Sequence, residues 1–269
     1  MSSTPTINKT LEFSDLRSPQ IQPTVASLHR WLWNWLLTGE RLAVNGHVKR
    51  RLYIRKHKMW EYARGLALTG ASAPVRRTKN SMTVLEVGGA MTAPVFYLAS
   101  QGDRVVCLDI DEKLTAQTNR TARRRGLHVD ARTTNLVDED PSSEDLGVEG
   151  GFDRAYSFCV IEHIPPPGQQ TAARRIAGLL KPGGQMCLTF DYGEHAPTEA
   201  PLKNAAQVQD ICQAVGLPLM VNDSFVDTGT RYRLDRKYPD RPYTFGSLFF
   251  CRPQQQQIMR RSATDRSQS

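Results

Sequence analysis

The spacing of apolar residues changes along this chain, and each change marks a different kind of element. Between residues 24 and 68 the spacing is helical: Leu28, Trp31, Leu32, Trp35 and Leu36 fall at i, i+3, i+4, i+7 and i+8 and form one stripe. That predicts one helix there and a second over about 48–66. Residues 1–23 are polar, interrupted by Pro5, Pro19 and Pro23, and read as a flexible N-terminus. Residues 70–81 (GASAPVRRTKNS) have the composition of a linker.

Past the linker the period shortens. MTVLEV (82–87), RVVCLD (104–109), DRAYSFC (153–159) and GQMCLTF (184–190) are apolar runs without strict alternation. Strands buried on both faces of a parallel sheet have this pattern. Helix-length segments separate them, over 93–101, 112–125 and 169–180, the last ending in the stop KPGG. Strand–helix–strand succession of this kind predicts an α/β fold with a doubly wound sheet. A helix over about 204–215, an extended run over about 219–226, a charged loop over 231–241 and an aromatic run over 243–251 follow. The tail over 253–269, with four consecutive glutamines, reads as disordered. The domain reading is therefore a flexible segment 1–23, a helical N-terminal cap over 24–70, an α/β domain over 82–252 and a tail.

Composition excludes several classes. A chain of 269 residues that is 39% hydrophobic and 23% charged is neither disordered, collagen-like nor a coiled coil. No run approaches the ~20 apolar residues of a membrane span, and the N-terminal residues lack the pattern of a secretory signal. Five cysteines without C-x-x-C spacing read as reduced thiols, which points to the cytoplasm and away from disulfides or a metal site. The net charge of +8 is concentrated at the ends: residues 1–60 hold ten basic and three acidic side chains, and residues 227–269 nine and four. Such ends suit nucleic acid, an anionic small molecule or a membrane surface equally. The four tryptophans and the basic run Lys49–Lys58 lie in the helical cap. They read either as a helical pair packed on the main domain or as a lid with aromatic walls over a substrate pocket.

The first strand of the α/β domain ends Glu86-Val87-Gly88-Gly89-Ala90-Met91-Thr92 and leads into a helix. In open α/β sheets ligands bind beyond the carboxyl ends of the strands, at the first crossover, and glycines there let backbone approach them. The second strand ends at Asp109, 23 residues after Glu86, where an acid meets ribose hydroxyls. Dinucleotide sites require glycine at the positions of Ala90 and Thr92, because a pyrophosphate presses on that turn. Glu86 would repel a diphosphate and tolerate an ammonium and a sulfonium. The turn therefore leans away from NAD and toward S-adenosylmethionine (SAM).

The series VLEVGGAMTA, VVCLDID, FDRAYSFCVIEHI and LLKPGGQMCLTF resembles the class I SAM-dependent methyltransferases, and within them the group typified by ubiquinone-pathway enzymes, over about residues 82–251. The resemblance implies a Rossmann-like, mostly parallel seven-stranded sheet closed by an antiparallel hairpin, which would fall in 219–251. It implies SAM as cofactor. Glu86, Gly88 and Gly89 would line the methionine end, Asp109 with Ile110 the ribose, Asn135 and Leu136 the adenine. Ser157, Phe158 and Cys159 would floor the site. Methyl transfer is chiefly a matter of alignment, with a general base needed only for an acceptor that must lose a proton. Glu162 and His163 are the catalytic candidates for that base, with a structural role in shaping the loop as the alternative. Tyr192 and His195 are expected at the same cavity.

The leading reading is an enzyme methylating an O or N atom of a small-molecule, possibly anionic acceptor, with the tryptophan-rich helices as its cover. A nucleic-acid methyltransferase is disfavoured, because EHIPPP stands where an N/D-P-P-Y/F/W motif would be and no RNA-binding module precedes the domain. A non-catalytic SAM-fold protein and a nucleotide-dependent dehydrogenase complete the alternatives.

Overall fold

The computed structural model describes residues 6–44, 47–50, 53–71, 81–234 and 239–254. Its strands are β1 (Lys9–Thr10), β2 (Leu42–Val44), β3 (His47–Lys49), β4 (Thr83–Val87), β5 (Arg104–Asp109), β6 (Val129–Thr133), β7 (Phe152–Phe158), β8 (Leu180–Tyr192) and β9 (Thr244–Cys251). Its α-helices are α1 (Gln22–Leu37), α2 (Lys56–Leu68), α3 (Ala93–Ser100), α4 (Glu112–Arg125), α5 (Gly168–Gly178) and α6 (Ala205–Val215).

Seven strands form one sheet in the order β1-β9-β8-β7-β4-β5-β6. β6, β5, β4, β7 and β8 run parallel, while β9 is antiparallel to β8 and β1 antiparallel to β9. The core strands are buried on both faces because their apolar residues serve two cores in turn. Val84 and Val105 pack with α1, α2 and α3, whereas Leu85 and Val106 pack with α5 and α6. Helix ends follow local chemistry. Asp111 caps α4 by accepting from the Leu114 N–H, Asn204 caps α6 by accepting from the Gln207 N–H, and both helices stop at a left-handed glycine, Gly126 and Gly216. From β4 the chain winds outward through β5 and β6, then returns to β7 on the other side of β4. The switch point, where a crevice opens, is thus between the ends of β4 and β7.

Three expectations need correction. The N-terminal segment is ordered from residue 6: Ile7, Asn8, Lys9, Thr10 and Leu11 are buried, and Lys9–Thr10 supplies the seventh strand. The Asn8 amide donates to the Met220 and Asn222 carbonyls, and its Oδ1 accepts from the Phe249 N–H. The run over 219–226 touches the sheet only through single bridges at Leu219 and Val226, so the antiparallel end is built from β9 and β1. Finally, the second helix of the cap begins at Lys56, and residues before it form the β2–β3 hairpin. Residues 72–80 of the linker, Arg51 and Leu52 of the basic run, residues 235–238 of the charged loop and the tail from residue 255 lie outside the described residues.

The cap is fixed to the sheet by one buried cluster. Arg64 of α2 is 3% exposed; it donates to Asp15 (2.9 Å) and to the Ile7 carbonyl and lies over the Trp60 ring. Asp15 also accepts from the Trp60 indole (2.9 Å) and from Lys9 (2.9 Å). At the far end of α2, Thr69 and Tyr156 share a hydrogen bond of 2.6 Å and Arg154 donates to the Thr69 carbonyl. No helix among the described residues is long and apolar enough to cross a membrane.

Candidate functional site

A cavity of about 1150 Å³ lies over the ends of β4 and β7. One end is made by the turn after β4. Gly88 is left-handed (φ 76°), its N–H donates to the Leu108 carbonyl, and a Cβ there would meet Val160 at 2.4 Å. At Gly89 a Cβ would lie 1.9 Å from a Glu86 carboxylate oxygen. Asp109 accepts from the Ala90 N–H through Oδ2 and from the Asp111 N–H through Oδ1, both at 3.0 Å. It therefore holds the turn while its carboxylate borders the cavity. Met91 and Cys159, on either side of the crevice, are left-handed non-glycine residues (φ 62° and 56°), conformations concentrated at working sites.

The nucleoside-site candidates are largely brought together. Gly88, Asp109, Ile110, Asn135, Leu136, Phe158 and Cys159 all line the cavity, and Ile110 presents a side chain 75% exposed at its edge. Asn135 Oδ1 accepts from the Val137 N–H, and its amide donates to Asp138. Glu86 and Gly89 stand behind the wall: Glu86 is 1% exposed and lies under the turn, facing Cys107 at 3.7 Å. Burial, with the Asp109 charge adding to it, pushes its carboxyl up to about 8.

The opposite end is formed by the end of the basic run together with Tyr62, which sequence patterns did not single out. α2 contributes Lys58 and Tyr62 to the wall, together with His57, Tyr53 and Arg55 near its start. All four tryptophans face elsewhere; Trp31 stacks on Trp35, and Trp35 on Phe96. The cap is thus both a packed helical unit and a cover, its lining built from tyrosines and cations. α2 comes this close because Gly65 packs against Phe158, where a Cβ would meet the ring at 2.6 Å.

Beneath Lys58 is a buried polar cluster. Glu61, fully buried, pairs with Lys58 (3.2 Å) and accepts from the Thr189 hydroxyl (2.9 Å) and the Cys159 thiol (2.8 Å). Asp191 and Glu162 line the cavity beside Cys159, and one ligand atom from each of these three lies within 4.8 Å of the others. Glu162 accepts from the Asp191 N–H through Oε1 (3.2 Å), while its Oε2 is buried without a hydrogen-bond partner. Burial, then the Asp191 charge, pushes the Glu162 carboxyl up to about 8. His163 instead sits at the exposed rim, its Nδ1 2.6 Å from Glu199 Oε2. Tyr192 and His195 do not line the cavity. Tyr192 faces the other side of β8 and packs on Phe225, and His195 is exposed.

This topology, with its crevice at the β4–β7 switch and its acid at the end of β5, is the fold of the class I SAM-dependent methyltransferases. Residues 84–184 match the family model described as "Methyltransferase domain". Solved structures share the fold at low identity. Phosphoethanolamine N-methyltransferase 2 from Haemonchus contortus aligns with TM-score 0.53 and 16% identity over 91% of this chain and 61% of its own. A [4+2]-cyclase, SpnF, aligns with TM-score 0.51 and 17% identity over 88% of this chain and 97% of its own. The 1,6-didemethyltoxoflavin-N1-methyltransferase of Burkholderia thailandensis aligns with TM-score 0.50 and 18% identity over 86% and 90%. No curated protein matches the sequence.

Proposed function

We propose that this protein is a SAM-dependent methyltransferase that methylates an O or N atom of a small-molecule acceptor. The carrying observation is the single cavity of about 1150 Å³ joining two chemically different ends. A pocket for one ligand spans roughly 300–1,000 Å³, so this one has room for a nucleoside at the glycine turn and an acceptor under α2. The residues fit SAM: Asp109 offers an anionic acceptor to ribose hydroxyls, Ile110 and Leu136 offer apolar walls to a base, and the acidic surroundings of the turn oppose a diphosphate. Bound there, SAM would supply a methyl group already activated by the sulfonium charge. The chain's own task is to align it with the acceptor and exclude water. Glu86 acts through the turn it supports. Of the two base candidates, the reading favours Glu162, which lines the cavity and is buried, over His163, which sits at its exposed rim.

Both the H. contortus and the B. thailandensis neighbours are N-methyltransferases by name, and their structures hold S-adenosylhomocysteine. The cyclase neighbour has the same fold and another reaction in its name, so a ligand experiment must decide. Calorimetry is expected to show S-adenosylhomocysteine binding and no NAD binding, and Asp109→Ala is expected to weaken the former at least tenfold, about 1.4 kcal/mol. Binding of NAD with neither sulfur nucleoside would overturn the proposal. An RNA acceptor would instead require binding that falls steeply with salt.

A further inference from the structure

We propose that the outer face of α1, with the β2–β3 hairpin at its C-terminal end, docks on a membrane surface bearing anionic phospholipid headgroups. The inner face of α1 is the packed one: Leu28, Trp31, Leu32, Trp35 and Leu36 are buried. The far side of a surface helix is ordinarily polar, and here it is not. Trp33 is 61% exposed and Leu37 83%, the most exposed of the large apolar side chains among the described residues. Arg30, Trp33 and Leu37 stand at i, i+3 and i+7, on one face. The other three tryptophans are buried.

Cations gather where that face ends. Arg50 donates to the Leu36 carbonyl (3.4 Å), and the Arg125 guanidinium lies 5.9 Å from the Trp35 ring centroid. Arg41 leads into β2 and Lys49 ends β3, opposite Leu42. Between Asp15 and Glu61 the sequence has nine Lys and Arg and one acid, Glu40, and Arg124 neutralises that acid through two hydrogen bonds. Among the described residues Arg30, Arg41, Lys49 and Arg125 have no acidic partner, and all four are exposed. An apolar pair flanked by cations is complementary to a bilayer with negative headgroups. The indole sits at headgroup level, the leucine reaches the acyl boundary, and the arginine stems run along it. A second copy of this chain would bring the same positive charge against it. RNA would use the cations and leave Leu37 without a role, since bases stack on aromatic faces. The hairpin also reaches the cavity, where Leu42 and Ala43 form part of the wall, so the docking face and the cavity share β2.

The test titrates the full chain with vesicles of phosphatidylcholine alone and of phosphatidylcholine with about one third phosphatidylglycerol, near physiological salt. Co-sedimentation is expected to be at least tenfold stronger with the anionic vesicles and to weaken as salt rises. Because Trp33 alone of the four tryptophans is exposed, binding is also expected to shift the tryptophan emission to the blue and to protect it from acrylamide. The double variant Trp33→Gln, Leu37→Gln is expected to lose at least tenfold in vesicle binding, and Arg41→Gln with Lys49→Gln several-fold. Circular dichroism and the thermal midpoint report the folding of each; if the apolar pair fails there, the charge pair carries the comparison. Absence of binding to anionic vesicles, equal binding to both kinds, or binding unchanged in the folded variants overturns the proposal. So does a dimer that Trp33→Gln, Leu37→Gln dissociates in sedimentation velocity, or a single-stranded RNA that protects Trp33 from acrylamide where vesicles do not. None of these outcomes bears on the methyltransferase reading.

Discussion

Gly89→Ala is expected to abolish S-adenosylhomocysteine binding and to destabilise the fold by about 3 kcal/mol, the upper range for overpacking a filled core. The added Cβ would lie 1.9 Å and 2.0 Å from the two Glu86 carboxylate oxygens. Glu86 is enclosed at the end of β4 and has nowhere to swing, so the turn itself must move. That turn carries Gly88 and Ala90, whose N–H groups tie it to β5 and to Asp109. Gly178→Ala is the control: nothing lies within 4 Å of its Cβ position, and loss of chain entropy alone makes it neutral or stabilising by up to about 1 kcal/mol. Denaturant titration and calorimetry read both. Glu86→Ala in the Gly89→Ala background is expected to restore part of the lost stability, because the clashing partner is gone. A well-folded, ligand-binding Gly89→Ala protein would show that Glu86 does not sit under the turn.

The second large effect is a loss of stability with rising pH. Glu86 and Glu162 are both pushed up to about 8 by burial, helped by Asp109 in the first case and Asp191 in the second. In the unfolded chain both ionise near 4.5. Between those limits the folded protein holds protons that the unfolded chain has released, so raising the pH favours unfolding. The stabilisation is complete below about pH 4.5 and is lost as pH rises to about 8. Chemical denaturation of ligand-free protein at pH 5, 6, 7 and 8 measures the slope, and Glu162→Gln is expected to remove about half of it. A slope of the opposite sign would mean that these carboxyls are solvated or paired in the folded state.

The glycine-turn end of the cavity is legible in the sequence because its signals are local. A glycine pair after an apolar strand, and an acid at the end of the next, lie close together in sequence, and the strands separate cleanly because both faces are buried. The end under α2 is not, because its residues become neighbours only through packing. Glu61 looks like a solvated helix charge, and its burial depends on α2 lying against β7 and β8. The one clue was Gly65 inside a helix, a costly residue there unless a close approach requires it. The two-residue period of β8 sends Asp191 and Tyr192 to opposite faces, so that Asp191, and not the expected Tyr192, lines the cavity. Met186, Leu188, Phe190 and Tyr192 enter the core with α5 and α6, which leaves Asp191 for the cavity and Thr189 for the buried Glu61. The β2–β3 hairpin had a signal in the Asn45-Gly46 dipeptide. β1 had none, since two polar residues acquire a strand's role only through partners more than 200 positions away.

The clamp joining Ile7, Asp15 and Arg64 has a consequence for engineering. A guanidinium enclosed this deeply is compensated by Asp15 and the Ile7 carbonyl, so exchanging α2 by itself between proteins of this architecture would leave a buried charge unpaired. Residues 6–71 form the smallest graft that carries α2, which lines the cavity, along with its own counter-ion, and chimeras cut inside that block would inherit an orphaned cation.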